Sequence, residues 1–83
     1  MAMTKILVAE DEPHMRLGLK DNLEFESYDV TLAINGSEAL AKATATAYDL
    51  ILLDVMMPEL SGFDVCKQLR KQGVDTPIIF LTA

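Results

Sequence analysis

The sequence predicts a doubly wound α/β fold with a parallel sheet between two helical layers. Three short segments, "KILVA" (Lys5–Ala9), "DLILL" (Asp49–Leu53) and "PIIFL" (Pro77–Leu81), are continuous apolar runs, as strands covered on both faces require. The stretches between them carry helical spacing and helix start signals. The resulting order is strand then helix, three times, followed by a last strand. Such alternation implies right-handed crossovers and parallel pairing.

Each element has its own local reason. The first strand, Lys5–Ala9, leads into a helix expected over Pro13–Ser27, with Pro13 suited to the first helical position. Met15, Leu19 and Leu23 recur every four residues and form its expected inner stripe. Leu17 and Phe25 lie off that stripe; they are read as widening it, with contact to a partner chain as the alternative. The segment "YDVTLA", Tyr28–Ala33, alternates Val30 and Leu32 with Asp29 and Thr31, which suits a half-exposed edge strand. Asn35 with Glu38 three residues on resembles a capping box and opens a helix over Gly36–Ala47. The third strand follows, Asp49–Leu53. Ser61 caps a third helix over Gly62–Gln72, stopped by Gly73, with Val65, Cys66 and Leu69 on its apolar face. The last strand is Pro77–Leu81, and no linker or repeat divides the chain, which reads as one domain over residues 1–83.

Composition removes several function classes. The chain has 83 residues, is 51% hydrophobic and carries a formal charge of −6. A chain of this size buries only about 60% of its unfolded surface, so it is marginal alone. Net acidity argues against nucleic acid, where Lys and Arg must neutralise phosphates. No apolar run approaches the ~18 residues of a membrane span. No basic segment precedes an apolar stretch at the start, so no signal peptide is expected and the location expected is cytoplasmic. Cys66 is the single cysteine, which excludes an internal disulfide and fits a reducing compartment. His14, the single histidine, follows Pro13 and is read as solvated. Met57 is read as loop packing.

In open parallel sheets the functional crevice lies beyond the carboxyl ends of the strands. Those ends carry Glu10, Asp11 and Glu12 after the first strand, Asp54 after the third, and Thr82 and Ala83 after the fourth. With the first and third strands central, Glu10, Asp11 and Asp54 are expected to converge. Carboxylates brought together raise one another's pKa or hold a cation. Oxygen donors without Cys or His suit a hard ion such as Mg2+. A carboxylate beside such an ion, with the Thr82 hydroxyl nearby, can act as a nucleophile toward phosphorus.

The segments "KILVAEDEP", "NGSEAL", "YDLILLDVMMPELSGFDV" and "TPIIFLTA" resemble the receiver domain of bacterial two-component response regulators, from Lys5 to the last residue. The resemblance implies a CheY-like fold with strand order 2-1-3-4 and Asp54 as phosphoacceptor, supplied by a histidine kinase or a small phosphodonor. It also implies Mg2+ held by Asp11, Asp54 and the backbone carbonyl of Met56, with Glu10 acting through water. Thr82 matches the switch hydroxyl and Ala83 the small residue that gives the phosphoryl group room. Pro58 and Gly62 match the loop after the phosphoacceptor.

The family sheet has a fifth strand, and the sequence given stops after the fourth. The fourth helix, the fifth strand with its lysine and aromatic residue, and the fifth helix are not in it. Lys5 starts the first strand and cannot stand in for that lysine. The expectation is therefore a receiver truncated after the fourth strand, with impaired phospho-switching. A bare apolar edge and a partly uncovered sheet face further predict a homodimer or larger oligomer. The competing function is an oligomeric interaction module or folding fragment without phosphotransfer. An aspartyl-nucleophile phosphatase wants a second aspartate two residues after the first, where this chain has Met56.

Overall fold

The computed structural model describes residues 3–82. Along them run β1 (Lys5–Ala9), α1 (Pro13–Phe25), β2 (Asp29–Ala33), α2 (Gly36–Ala45), β3 (Leu50–Asp54), α3 (Gly62–Lys71) and β4 (Ile78–Leu81). The four strands form one parallel sheet in the order β2-β1-β3-β4, as expected. No helix among the described residues is long and apolar enough to cross a membrane.

Successive strand residues point to opposite faces, and the two faces are covered unequally. On one, Leu7, Ala9, Ile51 and Leu53 pack against Ala39 and Ala43 of α2 and Val65 and Leu69 of α3. On the other, Ile6, Val8 and Leu52 meet Leu19 and Leu23 of α1. The first layer is the main core, where Leu7, Leu53, Val65 and Leu69 lose all contact with water. Cys66 is half-buried at its margin, and Met57 is buried within it.

The expected stripe on α1 is corrected in part. Leu19 and Leu23 pack inward, but Met15 is 54% exposed and no residue of α1 is fully buried. Leu17 and Phe25, read as widening the stripe, are 53% and 86% exposed. A single helix over this face covers the sheet with one narrow side, so residues off that side stay in water. Ile79, on the same face at the outer strand, is likewise 52% exposed.

Helix ends differ from expectation by one or two residues, for identifiable reasons. α1 stops at Phe25 because Ser27 takes a left-handed φ of 71°. Its N–H then reaches the Glu24 carbonyl and that of Tyr28 reaches Leu23, a Schellman closure made without glycine. α3 closes the same way through Gly73 at φ 80°, with Gly73 bonded to Arg70 and Val74 to Leu69. α2 ends at Ala45, where Thr46 turns extended. β3 is shifted by one residue, so Asp54 is the last residue of the strand itself.

The predicted caps form. Asn35 accepts the Glu38 N–H at 2.8 Å, while the Glu38 carboxylate returns to the Ile34 N–H and not to that of the cap. Ser61 and Asp64 make a full capping box. Ser61→Ala should cost about 1 kcal/mol of stability, read as a lower urea midpoint at unchanged slope.

Candidate functional site

Register carries the strand ends into one place. Ala9 pairs with Leu53 across β1 and β3, so one step further Glu10 stands beside Asp54. Asp54 pairs in turn with Leu81, which brings Thr82 to the same end. Carboxylate oxygens of Glu10, Asp11 and Asp54 lie within 4.8 Å of one another. They open onto a cleft of about 590 Å³ that Met15, Met56 and Thr82 also line. The expected convergence of Glu10, Asp11 and Asp54 is thus found, and Met56 and Thr82 line the same cleft. Ala83 lies outside the described residues.

Glu10 and Asp54 are nearly withdrawn from water, at 6% and 8% exposure. One oxygen of Glu10 accepts the Glu12 N–H at 3.1 Å, and Oδ1 of Asp54 accepts the Met56 N–H at 3.2 Å. Burial pushes the Glu10 carboxyl up to about 7; the Glu12 N–H opposes this, and the Asp54 and Asp11 carboxyls add to it. Glu12, the third acid of the loop, has a different job. It caps α1 by accepting the Met15 N–H at 2.7 Å, and this bond holds its carboxyl below the usual range.

The raised Glu10 value has a consequence for stability. A carboxyl that keeps its proton longer in the folded chain contributes stability fully below its unfolded pKa of 4.5, and that contribution is lost as pH rises through about 7. Urea unfolding of the metal-free chain at pH 5 and pH 8 should show the loss, on the order of 2 kcal/mol relative to Glu10→Gln. Equal pH slopes for the two chains would contradict it.

Arg16 was not singled out from the sequence. Its Nη1 donates to the Glu10 carbonyl at 2.8 Å and to the Asp11 carbonyl at 3.3 Å, which ties the first turn of α1 to the acid loop. Its place one helical turn after Glu12 was the available signal, but that spacing reads as a surface ion pair.

Three carboxylates, two of them buried and none accompanied by Cys or His, form a donor set for a hard divalent cation. The model of the response regulator receiver domain matches residues 6–83. The chain belongs to that family. Among relatives of this receiver, the alkaline phosphatase synthesis transcriptional regulatory protein PhoP of Bacillus subtilis is 53% identical over 79 residues, 95% of this chain and 33% of PhoP. Response regulator ArlR of Staphylococcus saprophyticus is 47% identical over 81 residues, 98% of this chain and 36% of ArlR. The receiver therefore spans about a third of the length of the curated relatives it matches. TrrA of Thermotoga maritima, solved with Mg2+ and BeF, superposes with a TM-score of 0.92 at 47% identity, over 98% of this chain and 70% of that one. TrrA solved with the histidine kinase ThkA superposes with a TM-score of 0.89.

Proposed function

We propose that this receiver accepts a phosphoryl group on Asp54, with Mg2+ held by Glu10, Asp11, Asp54 and the Met56 carbonyl. The observation that carries the reading is the buried Asp54 carboxylate lining the cleft, beside two further acids. A bound Mg2+ would neutralise charge on the phosphoryl oxygens. A carboxylate oxygen of Asp54 attacks phosphorus, and the donor's bond to phosphorus breaks with its electron pair leaving on the donor. The Met56 N–H orients the attacking carboxylate through Oδ1. The Thr82 hydroxyl, at the rim of strand ends that lines the cleft, donates to the transferred group. The donor is a histidine kinase, as the TrrA–ThkA complex supports, or a small acyl phosphate.

Among the described residues no lysine lines the cleft. Used as an isolated chain, these 83 residues are therefore expected to accept phosphate slowly. They are also expected to associate through the outer edge of β4 and the face bearing Ile79. The experiment is intact-mass measurement after incubation with acetyl phosphate and Mg2+. A partial gain of one phosphoryl group supports the reading, and rapid quantitative modification overturns the expected impairment. No gain at all favours an interaction module without phosphotransfer. Light scattering after gel filtration tests association, and a folded monomer at micromolar concentration rules it out.

A further inference from the structure

The acid loop is held from two sides. On the sheet side the Glu10 N–H bonds to the Ala33 carbonyl at 3.2 Å, which extends β1 toward β2. On the helix side the single Arg16 Nη1 engages the carbonyls of both Glu10 and Asp11. Arg16 is itself fixed, because it sits in the first turn of α1 with its own N–H on the Glu12 carbonyl at 3.0 Å. Two successive peptide planes are thus pinned by one cation, and those planes determine where the Glu10 and Asp11 side chains leave the backbone.

Resting on the proposed cation site, we infer that Arg16 is a positioning residue for it. By holding the two carbonyls it sets the Glu10 and Asp11 carboxylates toward Asp54, without touching the cation or the phosphoryl group. Loss of a group that orients metal ligands typically costs about 10–100-fold in affinity.

Two roles for Arg16 predict opposite signs. As a positive charge against the acid loop, its removal would strengthen cation binding by lifting a like-charge repulsion. As a positioning group, its removal frees the loop and weakens binding.

The test is calorimetric titration of MgCl2 into the unaltered chain, Arg16→Met and Arg16→Lys. The methionine variant is expected to bind about tenfold more weakly. Lysine is expected to regain most of the loss, because the contact uses one nitrogen and an ammonium can donate to both carbonyls. A methionine variant that binds as tightly as the unaltered chain, or more tightly, overturns the inference. So does a lysine variant as weak as the methionine one. Should circular dichroism show Arg16→Met to be unfolded, Arg16→Gln takes its place with the same expected loss. An unaltered chain that takes up no Mg2+ overturns the cation site itself, and the inference falls with it.

Discussion

An Asp54→Asn chain should take no phosphoryl group from acetyl phosphate and, without metal, should be more stable than the unaltered chain. Both effects follow from the same geometry. Asparagine keeps the volume at the end of β3 and an oxygen for the Met56 N–H, so the loop has no reason to move. It removes the carboxylate proposed to attack phosphorus and one of the clustered negative charges. The Glu10 carboxyl is raised first by burial, but Asp54 contributes through direct contact and through charge. Neutralising Asp54 should therefore lower the Glu10 value and recover on the order of 1 kcal/mol at pH 8. Mg2+ should then add little stability, whereas the unaltered chain gains it by mass action. Mass spectrometry and thermal melting with and without Mg2+ read both effects. A phosphoryl adduct on the variant would place the acceptor elsewhere, and an unchanged metal-free melting temperature would remove the claimed repulsion.

Gly62→Ala should be the most damaging small substitution, costing about 3 kcal/mol, the upper end for overpacking. A Cβ at position 62 would overlap the Asp54 carbonyl oxygen, and would stand 2.9 Å from the Asp54 carbonyl carbon and 3.0 Å from Val55 Cα. All three are backbone atoms, so no rotamer change relieves the clash. The first turn of α3 would have to lift away, straining the bond from the Gly62 N–H to the Val55 carbonyl. The adjoining Met56 N–H would lose its aim at Asp54. Against a total of roughly 5–15 kcal/mol for a natural domain, the loss should be plain in a urea titration. Mg2+ affinity should fall with it. Gly36 faces the same loop from α2, where a Cβ would overlap the Leu60 carbonyl oxygen. Unchanged stability in Gly62→Ala would mean that α3 and β3 are not in the contact described.

Much of this was legible beforehand, and the residues show why. The apolar runs in β1, β3 and β4 are local patterns that report burial on both faces. Ser61 with Asp64, and Pro13 at the start of α1, act within one helical turn. The convergence of Glu10, Asp11 and Asp54 also needs only strand ends and a parallel sheet, because parallel strands place their carboxyl ends on one edge. The end of α1 was not legible, since Ser27 adopts a left-handed turn that its sequence does not advertise.

The amino-acid order by itself determined the element sequence, the parallel sheet and the edge where the acids gather. Tertiary structure decided what depends on surfaces that meet only after folding. It left Met15, Leu17 and Phe25 in water, because one helix covers that part of the sheet with one narrow side. It turned Arg16 from an apparent surface charge into a tie on the acid loop. It required glycine at position 62, through a backbone approach between α3 and the end of β3. It also raised the Glu10 carboxyl to about 7, because burial and two neighbouring acids act on that group only once the strand ends have come together.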